Sequence, residues 1–214
     1  MAGSGEWAAG MFRLRDRQPA RLSAPVAWRP LSEAELRFCW PVLEELCGHE
    51  IGRPAQADLL TRFEACLEAA CSGLAWRDVR VAGMRGDSVH RTFRRWTRRG
   101  LWMALLVRVA RARVRMPGLE YFLCRAYRRA WRLQGMRGIL VARMCGMASA
   151  VRAPFHRLPD PLLSARWHRR VIFPGLRCVG AMPKAVAVAF LRQARRLLTL
   201  CGGVQRIRRS WEPA

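Results

Sequence analysis

Apolar residues recur along the first half of this chain at three- and four-residue steps, the period of helices buried on one face. Leu36, Cys39, Trp40, Leu43, Leu46 and Cys47 form the first such stripe. Ser32 stands ahead of it, with Glu35 three residues on. At that spacing a serine oxygen accepts an amide of the first turn while the glutamate reaches back. Pro41 predicts a kink and Gly48 the end of this helix. Gly52-Arg53-Pro54 reads as a turn. A second helix is expected from Ala57 to Cys71, with Leu59, Leu60, Phe63, Cys66, Leu67 and Ala70 inward and Ser72-Gly73 closing it. Trp76-Arg77-Asp78-Val79 opens a short third helix, and Gly83 and Gly86 mark the next turn. A fourth helix, capped by Asp87 or Ser88, runs to Arg99 and stops at Gly100. Its apolar stripe is Val89, Thr92, Phe93 and Trp96. Its other face is His90, Arg91, Arg94, Arg95 and Arg98. Leu101 to Val114 gives a fifth helix, and Pro117-Gly118 ends the unit.

The remainder is less regular. Glu120 to Arg132 keeps a helical period through Phe122, Leu123, Ala126, Tyr127, Ala130 and Leu133. Gly135, Gly138 and Gly146 then fragment the pattern, and Pro154, Pro159 and Pro161 predict an irregular link. Pro183 suits the first turn of a last helix, with Val186, Phe190, Leu191, Ala194 and Leu198 inward. No stretch alternates convincingly as a strand, and no internal repeat is visible. The expected fold class is all-α. A helix-turn-helix-containing N-terminal helical domain at 31–116 follows a loose arm at 1–30 and precedes an irregular, Arg-rich helical extension at 117–214.

Composition changes this picture through charge. Lys and Arg number 39 and Asp and Glu 15 in 214 residues, a net charge of +24. Such a balance makes polyanions, nucleic acid above all, the first partners to consider. Residues 1–100 hold 16 Arg against 12 acids; residues 101–214 hold 22 Arg and Lys184 against Glu120, Asp160 and Glu212. A chain with a single lysine and no Asn is also what GC-rich codons yield, so genomic bias and selection for a ligand both stand as sources of the charge. The longest apolar run, Leu101 to Val107, ends at Arg108, far short of the roughly 20 residues of a spanning helix. No membrane partner is expected. Arg13, Arg15 and Arg17 interrupt any signal-like stretch, so a cytoplasmic location is expected. The eight cysteines show no CxxC and no zinc-like spacing with His, so they should be reduced and mostly buried. No metal and no other cofactor is expected.

The informative stretch is 76–102, where a short helix, a Gly-containing turn and a second helix read as a helix-turn-helix. Such a unit lays its second helix in the major groove, where each base pair shows a distinct hydrogen-bond pattern. Ser88, His90, Arg91 and Arg94 would meet base edges. Arg95, Arg98 and Arg99, with Arg53 beside its turn, would meet phosphates. An Arg-rich helix face is more often simply solvated. Local density argues for contact: residues 81–115 hold ten Arg against one acid, Asp87.

Residues 31–106 resemble the N-terminal domain of bacterial insertion-sequence transposases of the DDE type. The matching pieces are Leu31-Ser32-Glu33 leading to Pro41-Val42-Leu43, then Gly52-Arg53-Pro54, then Ser72-Gly73-Leu74-Ala75-Trp76-Arg77-Asp78-Val79. They continue through Ser88-Val89-His90-Arg91-Thr92-Phe93-Arg94-Arg95-Trp96 and close at Gly100-Leu101-Trp102. The chain departs at Ala75, where the family usually has Pro, and at Arg85-Gly86, where an aromatic-Gly pair is common. The resemblance implies a domain that holds duplex DNA at the ends of a mobile element, on the bacterial nucleoid. It also implies a downstream catalytic domain with two Asp and one Glu on divalent metals. No such constellation is visible in 101–214, so the chain reads as non-catalytic by itself. A separately encoded catalytic transposase chain is the implied partner. Residues 117–214 read either as a helical extension or as a frame-shifted remnant. A general RNA or polyanion binder is the alternative function.

Overall fold

Ser32 opens the first helix of the computed structural model, which describes residues 18–48, 58–81, 83–204, 208 and 210. The Ser32 hydroxyl accepts the Glu35 amide at 3.3 Å, and the Glu35 carboxylate accepts the Ser32 amide at 2.8 Å. This closes the expected capping box on α1 (Glu33–Leu43). Pro41 lies inside α1, and the chain passes from it into a π-type turn, Glu44–Gly48. A proline leaves the carbonyl one turn back without its amide, and the widened turn follows directly. Glu35 also takes both arms of the Arg29 guanidinium, at 2.7 and 2.8 Å. Burial works against ionisation of Glu35, but the Arg29 and Ser32 hydrogen bonds outweigh it and hold its carboxyl below the ordinary range.

Asp58 caps α2 (Leu59–Ser72) by accepting the Thr61 amide at 2.6 Å, and Gly73 ends it in the left-handed region. The short helix expected at Trp76 is a single 3-10 turn, Trp76–Asp78. Beyond it the chain extends into β1 (Arg80–Val81), turns at Gly83, and returns as β2 (Met84–Arg85), antiparallel to β1. No strand was expected here, because two-residue strands are too short to show alternation. α3 (Gly86–Arg98) and α4 (Leu101–Ala110) follow, joined at Gly100, whose φ of 86° suits glycine.

These helices share one core. Phe63, Cys66 and Leu67 of α2, Val89, Phe93 and Trp96 of α3, and Leu101, Trp102 and Leu105 of α4 are all buried. Trp102 stacks on Phe93 at 4.9 Å and on Phe63 at 6.0 Å between ring centroids. α5 (Pro117–Arg129), which the sequence reading placed at the start of the extension, packs on both α2 and α4 through Phe122, Leu123, Ala126 and Tyr127. α6 (Trp131–Met144) follows, broken at Gly135. Residues 18–30, expected as part of a loose arm, form an extended strap. The Gln18 amide bonds the Met144 carbonyl, the Arg21 amide that of Gly146, and the Ala148 amide that of Arg21. Trp28 lies against Phe122 at 4.9 Å.

The described residues divide into two compact units, one up to Arg152 and one from Ala153. In the second, Asp160 caps α7 (Pro161–Trp167) by accepting the Leu163 amide at 3.1 Å. A π-type turn, His168–Ile172, leads to α8 (Phe173–Cys178), and α9 (Lys184–Gly202) packs back on α7. Val186, Leu191 and Leu198 were expected inward on α9 but are exposed; Ala194 and Cys201 are its buried residues. The reason is length. A seven-residue neighbour cannot cover the whole apolar stripe of a nineteen-residue helix.

The fold class is all-α, as the periodicity indicated. Among the described residues the extended pairing is the β1–β2 hairpin and one isolated bridge between Arg21 and Met147. No described helix is long and apolar enough to cross a membrane.

Candidate nucleic-acid interface

Helix α3 divides sharply. Val89, Phe93, Trp96 and Thr97 are buried, while Asp87, Ser88, Arg91, Arg94, Arg95 and Arg98 are exposed. Steps of three and four place Asp87, Arg91, Arg94 and Arg98 along one outer row, and Ser88, Arg91, Arg95 and Arg98 along another. Six of the eight residues singled out from the sequence therefore occupy α3, and five of them are exposed. Arg91 Nε leans back to the Asp87 carbonyl at 3.4 Å. Arg99, just past the helix, is half-buried and donates to the Leu46 carbonyl at 3.3 Å. Arg53 lies outside the described residues.

His90 is the member of the set that turns inward. Its imidazole is half-buried and stacks on the Trp76 indole at 4.8 Å. Burial, then the guanidiniums of Arg94 and Arg129, push it below its ordinary value, so the neutral ring is favoured. The Trp76 indole also meets Arg129 from α5, whose guanidinium sits 4.0 Å from the ring centroid. Arg129 also donates to the carbonyls of Ala69 at 2.9 Å and Leu74 at 2.5 Å. It ties the end of α2, the Trp76 turn and, through the indole, α3 into one block.

Sequence reasoning missed Arg129, and no local signal could have found it, because its partners lie far away along the chain. It also passed over Arg77, Arg80 and Arg85, all exposed around the hairpin. Their spacing about Gly83 was visible, but a hairpin this short carries no periodic signature.

Two of the three acidic residues of the later sequence, Glu120 and Asp160, have structural partners. The Glu120 side chain is 1% exposed and accepts from Arg21 at 3.0 Å, Arg115 at 3.2 Å and the Ser23 hydroxyl at 2.8 Å. Asp160 is the α7 cap. Glu212 lies outside the described residues. Among the described residues no group of three or more His, Cys, Asp or Glu is placed to hold a metal ion. We expect Glu120→Gln to lower stability by about 1–2 kcal/mol, since charge-assisted hydrogen bonds inside the protein would be replaced by neutral ones. Urea unfolding of the two proteins side by side measures it; an unchanged midpoint would show that this carboxylate does not fasten the strap.

The exposed guanidinium row, the Gly-x-x-Trp-Arg-Asp turn beneath it and the aromatic core behind it all fall within one segment of the chain. Residues 31–106 match the family model described as "Putative transposase of IS4/5 family (DUF4096)". The likeness covers about a third of the chain. It runs from the residue before the Ser32 cap to the middle of α4, so it contains α1, α2, the hairpin and all of α3. No curated protein and no solved structure matches the chain. The two departures from the transposase pattern have a simple geometry. Ala75 has φ −63° and ψ 146°, which is where a proline ring would hold it. Arg85 stands at the exposed N-cap of α3, where an aromatic side chain is not needed for packing.

Proposed function

We propose that this protein binds duplex DNA through α3, as a transposase-related and non-catalytic partner of a separately encoded catalytic chain. α3 enters the major groove. Ser88, Arg91 and Arg94 meet base edges, and Arg95 and Arg98 meet phosphates. Arg99 adds a phosphate contact from just past the helix, and Arg53, which lies outside the described residues, is assigned another from the sequence alone. His90 serves by stacking on Trp76, which fixes how far α3 stands out. The reading places the protein on the bacterial nucleoid, at the ends of a mobile element. One observation carries it: a helix seated by Val89, Phe93 and Trp96 presents four guanidiniums outward with a single carboxylate, Asp87, among them. The match of 31–106 to a transposase family supports it independently. The structural employment of Glu120 and Asp160 supports the non-catalytic part.

Affinity for duplex carrying the element ends, measured against scrambled duplex, tests the proposal. Arg91→Ala and Arg94→Ala should each remove about 1–3 kcal/mol of preference, the worth of one bidentate guanine contact. Binding should weaken steeply with salt as phosphate counterions are released. Equal affinity for both duplexes, unaltered by either substitution, would refute base reading by this helix. A general polyanion binder is the second reading, favoured by the exposed Arg192, Arg195 and Arg196 of α9. It expects RNA to compete as well as either duplex.

A further inference from the structure

We infer that the β1–β2 hairpin is a second DNA contact, gripping the phosphate backbone beside the groove that α3 reads; this rests on the α3 reading above. The pairing register sets Arg80 directly opposite Arg85 and Val81 opposite Met84. Val81 is buried and Met84 half-buried, so this pair roots the hairpin in the protein. The strand period of two then turns Arg80 and Arg85 to the other face, and both are exposed. Like charges directly across a ladder destabilise it. The repulsion across the pair is a cost that an external anion would relieve. Arg77, in the 3-10 turn just before, is 86% exposed, with its Nε 3.6 Å from the Asp78 carboxylate, and adds a third guanidinium beside this edge.

The hairpin is also held in a fixed place. Arg85 is the N-cap residue of α3, so this edge lies at the end of the helix that carries Ser88 and Arg91. The next residue, Gly86, sits so close under the Trp76 carbonyl that a Cβ there would lie 1.9 Å from its oxygen. The turn, the hairpin and the start of α3 therefore form one tightly fitted corner. Arg80 Nη1 donates to the carbonyls of Arg77 and Val79, both at 2.9 Å, which holds its side chain along the turn. Guanidinium forks match phosphate oxygens in pairs. A contact of this kind carries no base information, and its task is to fix register along the duplex.

The test compares the full chain with the pair R80A/R85A and with R91A/R94A on element-end and scrambled duplex, over a salt series. R80A/R85A should bind both duplexes about tenfold more weakly at about 0.1 M salt and keep the preference between them. The slope of log affinity against log salt should become shallower by about 1.8, two phosphate contacts at roughly 0.9 each. Its melting temperature should stay close to that of the parent, because relief of the repulsive pair offsets the loss of the two Arg80 hydrogen bonds to the Arg77 and Val79 carbonyls. If R80A/R85A keeps the parent affinity and slope while R91A/R94A loses the preference, the hairpin inference falls and the α3 reading stands. If the parent itself shows no salt-dependent duplex binding, the α3 reading falls and takes this inference with it. Should the alanine pair lower the melting temperature, R80Q/R85Q carries the test: a slope shallower by about 1.8 supports the inference and a parent-like slope overturns it.

Discussion

Trp102→Ala is expected to lower the unfolding free energy of the first unit by about 4 kcal/mol, within the range for removing a buried tryptophan. Trp102 is 1% exposed and belongs to α4, yet its ring touches Phe63 of α2 and Phe93 of α3. Three helices therefore lose a common surface together, and no one of them can relax into the space without leaving the other two. Domains of this size hold a margin of roughly 5–15 kcal/mol, so the loss is a large part of the whole. A urea midpoint shifted downward at constant slope would measure it. By contrast Arg98→Ala, on the outer row of α3, should stay within about 0.5 kcal/mol of the parent, because it removes nothing buried. A loss below about 1 kcal/mol for Trp102→Ala would mean that α3 is not seated on this ring. The DNA-binding proposal would then lose the support that holds its reading helix in place.

How much of this was legible beforehand depends on the kind of interaction. The Ser32–Glu35 box, the inward face of α2, the stop at Gly73 and the division of α3 into Phe93 and Trp96 beneath and Arg91 and Arg94 above were all readable. Each is set by neighbours three or four residues away. The strap at 18–30 was not readable, because its order comes from Ser23 reaching Glu120 and Trp28 reaching Phe122, contacts with no sequence period. The same holds for Arg129 over Trp76. The hairpin failed for a different reason: its four paired residues offer too few positions for alternation to be seen. On α9 the period was real and the burial was not, because periodicity states which face is apolar and cannot state how much protein is available to cover it. For the candidate site, the helix and its outer residues were legible. Their support by α5 and the inward turn of His90 were not.

Gly86→Ala should cost about 3 kcal/mol and should also damage DNA binding beyond what the lost stability explains. Helix propensity alone predicts the opposite sign, since alanine is favoured over glycine by about 1 kcal/mol inside a helix. Local geometry decides against it. An added Cβ would lie 1.9 Å from the Trp76 carbonyl oxygen and 3.0 Å from that of Val79, and both are backbone atoms that cannot rotate away. Overpacking of this kind typically costs about 1–3 kcal/mol, and a backbone obstacle belongs at the upper end. Relief requires the Trp76 turn to lift from the start of α3. Lifting it loosens the Trp76 stack on His90 at 4.8 Å and shifts the Arg80–Arg85 edge relative to Arg91 and Arg94. Thermal melting reads the first effect. Duplex affinity read well below the melting temperature, where the variant is still folded, isolates the second. A variant as stable as the parent would show that the turn is not fitted to the helix. A destabilised variant with parent affinity and salt slope would show that the corner serves folding alone, and that the hairpin takes no part in holding DNA.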